Sequence, residues 1–209
     1  MSANSFSSLP LSKPLLKNIA ELGFTEMTPV QAESLPPILQ NKDVIAQAKT
    51  GSGKTVAFGI GVLHKLDVKK FRVQSLVLCP TRELADQVAK ELRRLARTIH
   101  NIKILTLCGG QPFGPQLGSL RHEAHIIVGT PGRVLKHLIK GSLSLDNLDM
   151  LVLDEADRML DMGFIDDISE IISYAPGNRQ TLLFSATYPD EIMGLSESIQ
   201  NDAISIKSN

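Results

Sequence analysis

A chain of 209 residues is long enough for one domain with a substantial buried core, and 43% hydrophobic with 21% charged residues is ordinary for a globular protein. Its 22 basic and 22 acidic residues cancel, which excludes a bulk field that attracts nucleic acid and confines any such contact to local patches. The start, Met1 to Phe6, has no basic stretch followed by an apolar run, and no run is long enough to span a membrane, so a soluble, cytoplasmic protein is expected.

The first informative segment runs from Gly23-Phe24 to Gln31. Thr28, followed by Pro29 and by Gln31 three residues on, reads as a capping box that opens a helix. The same glutamine amide can pair with an adenine edge, donating to N7 and accepting from the 6-amino group, with Phe24 stacked on the base. On the residues alone, both readings of Gln31 stay open.

Val44-Ile45-Ala46 then leads into Ala48-Lys49-Thr50-Gly51-Ser52-Gly53-Lys54-Thr55 and on into Val56 to Ile60. Strand, glycine-rich turn and helix are the setting of a phosphate-binding loop. The glycines let the backbone from Thr50 through Ser52 curl its N–H groups towards phosphate oxygens, and the helix start adds partial positive charge. Lys54 would neutralise β- and γ-phosphates, and the Thr55 hydroxyl would ligate Mg²⁺. Ala48 stands where such a motif usually opens with glycine.

Apolar runs of strand length recur at 44–46, 75–79, 103–108, 125–129, 150–153, 181–185 and 203–206, and helical patterns separate most of them. The clearest helix spans Glu83 to Ile99, with Leu84, Val88, Leu92, Leu95, Ala96 and Ile99 on one face. Strands this apolar, without alternation, belong to a parallel sheet covered on both sides. The expected fold is therefore α/β: doubly wound, mainly parallel, with helices on both faces. Ligands of such sheets bind outside the carboxyl ends of the strands.

The residues that follow those ends carry the rest. Arg82 and Arg133 each sit in the first turn of a helix, where the dipole disfavours a cation by roughly 0.3–1 kcal/mol. Two such arginines on one sheet edge, beside the Gly109-Gly110 turn, suggest a chain of phosphates. Thr130 before Pro131 also reads as an N-cap. Arg93, Arg94 and Arg97 share an exposed helix face and read as solvated. Cys79 and Cys108 close apolar runs and read as buried reduced thiols. His122-Glu123-Ala124-His125 is one residue short of a metalloprotease helix and reads as a solvated turn.

Asp154-Glu155-Ala156-Asp157 ends the run Met150 to Leu153. A carboxylate there lies near the phosphates and can hold their metal, usually through water. With the earlier loop, it indicates a nucleoside triphosphatase.

Phe6, Gly23 through Gln31, Ala48–Thr55, Pro80–Ala85, Gly109-Gly110, Thr130–Arg133, Asp154–Asp157 and Ser185–Thr187 resemble, in order, the motif set of the DEAD-box RNA helicases. The resemblance covers nearly the whole chain and is similar to the first of two RecA-like domains. Cys108 to Gly114 and Asp86 to Arg97 further resemble bacterial ribosomal-RNA helicases of that family. It implies an adenine-recognition segment at 1–34 and a RecA-like ATP-binding domain at 35–209. Gln31 and Phe24 would recognise adenine, supported by Phe6. Thr50 to Thr55 would cradle the phosphates, Thr55 and Asp154 would hold Mg²⁺, and Glu155 would orient or deprotonate the attacking water. Asp157 would bond Ser185 and Thr187, linking the nucleotide to movement, although Thr187 also reads as an N-cap. Arg82, Gly110, Thr130 and Arg133 would touch RNA, ribosomal by the finer resemblance.

Nothing after Thr187 matches the arginine-bearing motif of a second RecA-like domain, so a fragment that binds ATP or ADP with little activity is expected. Two other readings share these residues: a stand-alone nucleotide switch that needs no nucleic acid, and a DNA-directed translocase.

Overall fold

The computed structural model describes residues 4–207. Among them, the strands are β1 (Val44–Gln47), β2 (Ser75–Leu78), β3 (Ile104–Leu107), β4 (Ile126–Gly129), β5 (Met150–Leu153), β6 (Gln180–Ser185) and β7 (Ile204–Ile206). They make one sheet in the order β3-β4-β2-β5-β6-β1-β7, and every pair in it is parallel. This is the doubly wound α/β fold that the apolar runs imply, and each of the seven runs supplies a strand.

Strands β2, β4, β5 and β6 are buried along their whole length. The side chains of these strands and of β1 nonetheless alternate between two cores, as the period of two requires. Val44, Ala46, Val77, Val128, Val152, Leu182 and Phe184 join one core. Ile45, Leu76, Leu78, Ile127, Leu151, Leu153 and Leu183 join the other. The first core is covered by α1 (Lys13–Glu21), α2 (Pro29–Leu39), α3 (Lys54–Lys65) and α4 (Arg82–Leu95). After α5 (Phe113–Leu120), the helices α6 (Pro131–Lys140), α7 (Ala156–Asp161), α8 (Ile165–Ser173) and α9 (Asp190–Ile199) cover the second.

Helix α4 shows how pattern becomes packing. Ala85, Val88, Ala89, Leu92 and Leu95 are its buried stripe, and the Thr81 hydroxyl accepts from Leu84 N at 3.3 Å to cap its start. It ends at Leu95, so Ile99 reaches the core from the following turn. The arginines on its outer face and just past its end are exposed but anchored. Arg93 donates to Ile104 O at 3.0 Å, Arg94 pairs with Glu91 at 2.9 Å and Arg97 with Glu21 at 2.8 Å.

The amino-terminal segment packs into the same core: Phe6, Leu9, Leu11, Leu15 and Ile19 share it with Phe58 and Phe184. The expected division after residue 34 falls inside α2, with no break in packing. Cys79 and Cys108 are buried and free, and burial pushes the Cys108 thiol up to about 11.

His125 corrects an expectation. It is fully buried, its Nδ1 accepts from Lys103 N at 3.0 Å, and its Nε2 donates to Val68 O at 2.9 Å. Only His122 and Glu123 of that stretch are solvated. A histidine can lie in a core when both ring nitrogens find backbone partners. Among the described residues no group of three His, Cys, Asp or Glu side chains is placed to hold a metal, and no helix is long and apolar enough to cross a membrane.

The tightest backbone approach is at Gly129, where a Cβ would lie 2.4 Å from Leu107 O and 2.6 Å from Val134 Cγ2. Gly129→Ala is expected to cost roughly 1–3 kcal/mol, because the obstacle is backbone and cannot swing aside. Gly114→Ala, where nothing lies within 4 Å, should be neutral or stabilising by up to about 1 kcal/mol. Urea unfolding midpoints of the two variants measure the contrast; equal midpoints would contradict it.

Candidate nucleotide and nucleic-acid site

Strand order divides the carboxyl edge of the sheet into two halves. The loops after β5, β6 and β1 are neighbours, and so are those after β3, β4 and β2. The first half collects Thr50–Thr55, Asp154–Asp157 and Ser185–Thr187; the second collects Arg82, Gly110, Thr130 and Arg133.

In the first half, Gly51 and Gly53 hold φ of +84° and +87°, a left-handed backbone that favours glycine. They turn the chain sharply enough for Lys54 to open α3, whose start has no side-chain cap. The first N–H groups of α3 therefore face the loop, an anion site by construction. Lys54 is 4% exposed and its Nζ lies 2.6 Å from Asp154 Oδ1 and 3.8 Å from Glu155 Oε2. Burial pushes the Asp154 carboxyl up, while the Lys54 ammonium pulls it back. Asp154 Oδ2 and Ser52 Oγ are buried without a hydrogen-bond partner in the protein. Those unmet oxygens, with the Thr55 hydroxyl, are hard donors of the kind that Mg²⁺ takes beside phosphate, so the residues fit a Mg²⁺–nucleotide.

Gln31 is buried and sits directly above this loop. Its Oε1 accepts from Thr28 N at 2.8 Å, completing the capping box, and its Nε2 donates to Gly53 O at 3.0 Å. A Cβ on Gly53 would come within 2.5 Å of Gln31 Nε2 and push that amide aside, in addition to the strain at its positive φ. The buried Phe6 ring tilts against Phe24 at 6.1 Å between centroids, and Phe6 N donates to Thr25 O at 3.1 Å.

Asp157 Oδ2 accepts from both Thr187 Oγ1 at 2.9 Å and Thr187 N at 3.2 Å, and Asp157 N donates to Ser185 Oγ at 3.2 Å. These bonds tie the loops of β5 and β6 together. Thr187 makes no cap; Pro189 precedes α9 instead.

The second half differs from its expectation in two respects. Thr130 stands at the N-cap position of α6 but makes no cap bond; its Oγ1 accepts from Gly109 N at 3.1 Å. Arg133 is met by the protein itself: its NH1 donates to Gln111 O at 2.7 Å and to Gln116 Oε1 at 3.1 Å. Those two acceptors offset its place at a helix start, so it gives no independent argument for an external anion. Arg82 remains open, half-exposed with only a 3.9 Å pairing to Asp86. Gly110 is exposed at φ +81° with open space around it.

Residues 28–195 match the family model described as DEAD/DEAH box helicase. The chain belongs to that family. It is similar to the ATP-dependent RNA helicase DbpA of Escherichia coli (strain K12), 63% identical over 97% of this chain and 44% of the relative. It is also similar to the DEAD-box ATP-dependent RNA helicase CshA of Geobacillus kaustophilus (strain HTA426), 49% identical over 97% of this chain and 43% of the relative. A DEAD box protein structure from Methanococcus jannaschii superposes with a TM-score of 0.94 at 40% identity, covering 98% of this chain and 56% of that one. The chain thus spans less than half the length of the curated relatives it matches.

Within this DEAD-box fold, three polar residues of the site carry no sequence signal of their own. Gln47 Nε2 donates to Ala186 O at 3.1 Å, tying the root of the phosphate loop to the loop of Ser185 and Thr187. Gln116 and His137 lie buried behind Arg133, with Gln116 Oε1 and His137 Nε2 2.8 Å apart. Nothing in the spacing of 116 and 137 announces a contact that only the β3–α5–β4–α6 path creates.

Burial, with Arg133 and Lys136 nearby, holds the His137 imidazole down at about 4 against an ordinary 6.5. The folded state therefore refuses a proton that the unfolded chain accepts. The stability tied to His137 is present above pH 6.5 and is lost as pH falls towards 4. His137→Phe should flatten that part of the profile, measured by urea unfolding between pH 7 and 4. An unchanged slope would contradict a buried neutral imidazole.

Proposed function

We propose that this chain is the ATP-binding half of an ATP-dependent RNA helicase that couples ATP binding and hydrolysis to local opening of RNA duplexes. The observation that carries this reading is the Lys54–Asp154 pair with its unmet oxygens, set under Gln31. The relatives named as ATP-dependent RNA helicases support it. We extend this reading to ribosomal RNA as the substrate and ribosome assembly in the cytoplasm as the setting, as the resemblance carried by Cys108 to Gly114 and Asp86 to Arg97 implies.

On this reading Lys54 exchanges Asp154 for β- and γ-phosphate oxygens, and Thr55 and Asp154 hold Mg²⁺. The ion, when bound, supplies charge neutralisation at those oxygens. Thr50 to Gly53 offer backbone N–H groups, and Glu155 orients the attacking water. Asp157, Ser185 and Thr187 transmit the state of the phosphates between loops. Arg82, Gly110, Thr130 and Arg133 line the RNA path. Gln31 serves as cap and reader together: with one lone pair of Oε1 and one N–H of Nε2 engaged, the other lone pair and N–H match an adenine edge. Phe24 lies against the base and Phe6 backs it. A second RecA-like domain completes the site across the cleft.

Lys54→Ala should abolish binding of Mg·ATP in a folded protein, and titration calorimetry tests it; unchanged affinity would reject the phosphate loop. Gln31→Ala should reduce preference for adenine over guanine nucleotides by roughly 1–3 kcal/mol as well as lowering stability. Retained preference with only a lower melting point would leave Gln31 a cap.

A third outcome concerns charge on the γ-phosphate. An arginine supplied across a cleft contributes about 10³–10⁵ in rate. Within this chain, Lys54 and the metal lie on one wall, while Arg82 and Arg133 follow β2 and β4 on the other half of the edge. The purified chain should bind ADP and ATP yet hydrolyse ATP very slowly, with little stimulation by RNA. Phosphate release with and without RNA, at several protein concentrations, is the assay. Fast, RNA-stimulated turnover independent of concentration would mean that the site is complete here.

A further inference from the structure

Behind the second half of the edge lies a buried polar relay that joins α5 and α6. Gln116 is 8% exposed and its Nε2 donates to Cys108 O at 3.3 Å. That bond orients the amide, so Oε1 is the atom facing Arg133 NH1 at 3.1 Å and His137 Nε2 at 2.8 Å. Two donors therefore converge on one carbonyl oxygen, which has two lone pairs to receive them. His137 Nε2 must carry the proton, leaving Nδ1 to accept from Ser142 Oγ at 2.8 Å. The ring is stacked on Phe113 with centroids 4.2 Å apart and planes 13° from parallel, and Lys136 Nζ lies 4.4 Å from the Phe113 centroid on the same cluster. A depressed imidazole pKa of about 4 keeps this single neutral tautomer at neutral pH.

The relay ends on the glycine turn. Arg133 NH1, steered by Gln116, also clamps Gln111 O at 2.7 Å, while Thr130 Oγ1 holds Gly109 N at 3.1 Å. Between these fixed points lies Gly110, exposed and left-handed, a backbone that would be mobile without them. Arg133 spends NH1 on both contacts, which leaves Nε and NH2 for a phosphate.

We propose that Gln116 and His137 are positioning residues for RNA binding, acting through Arg133 to hold the Gly109–Gln111 turn in the shape that meets the sugar-phosphate backbone. This rests on the RNA reading above. Neither side chain touches RNA itself. Their work is to remove conformational freedom before binding, which raises affinity by lowering the ordering cost.

The test compares His137→Phe, which keeps the ring over Phe113 and deletes the Nε2 donor, with His137→Gln, which returns an N–H at the same reach. Affinity for a fluorescein-labelled oligouridylate of about ten nucleotides is read by anisotropy at low salt, and amide exchange of 109–111 is read in the free protein. Titration with ADP in each variant reports that the fold and the distant phosphate loop survive. His137→Phe should weaken RNA binding about tenfold and speed exchange at the turn, and His137→Gln should recover both. Native RNA affinity and native exchange in His137→Phe would overturn the proposal, as would a loss that His137→Gln fails to recover, since that marks a packing defect. If the unmodified chain does not bind the oligouridylate at all, this chain alone does not hold RNA at the turn and the inference is overturned for it. Exchange at the turn would still separate that outcome from an idle relay.

Discussion

A buried ammonium and a buried carboxylate 2.6 Å apart set the terms for the rest of this molecule. Removing both charges from water is expensive, and their attraction only roughly offsets that cost. The pair persists because the sheet brings it together from two directions: Lys54 at the first residue of the helix after β1, and Asp154 at the end of β5, with β6 between those strands. Six parallel registers and two apolar cores hold those ends in place. The pair is thus a load placed on the fold. On the proposed reading its use would lie in exchange, since a phosphate and its cation carry the same two opposite charges as the pair.

The same parallel order sets two separate clusters of loops along one edge of the sheet. A sheet whose strands all point one way delivers every loop to one edge, and the sequence of strands across it then decides who the neighbours are. Loops after β1, β5 and β6 meet around Lys54, and loops after β2, β3 and β4 meet around Gly110. Strand β2 pairs with β5 at the seam. The Asp154 and Arg82 loops are therefore one strand-to-strand contact apart. Asp154 N already donates to Leu78 O at 2.9 Å across that seam.

Strands and motifs were legible because each writes its physics locally. A run such as Met150 to Leu153, closed by an acidic turn, reads as a buried strand, and a glycine-rich turn between strand and helix reads as a phosphate loop. Side-chain partners across the fold were not legible. His125 reads as solvated from its neighbours His122 and Glu123, yet its ring is held by Val68 and Lys103, 57 and 22 residues away. Thr130 and Thr187 both read as caps by position, but their hydroxyls serve Gly109 and Asp157. Arg133 looks misplaced on its own helix because Gln111 and Gln116, which satisfy it, lie on the other side of β4. In each case the deciding partner is supplied by topology, and local rules assign the residue its best local partner.

Glu155 shows strain located where loops must meet. Its backbone is left-handed at φ +51°, a conformation that costs a residue with a side chain roughly 1–2 kcal/mol. Strand β5 ends at Leu153 and α7 starts at Ala156, so Asp154 and Glu155 alone must make the whole turn. What enforces it comes immediately after: Asp157 is fixed by three bonds to Ser185 and Thr187, and Met159 is fully buried in the second core. A turn pinned at both ends cannot relax by drifting. Asp154 to Asp157 thus spans from Lys54 on one side to the loop after β6 on the other, with contacts at both ends.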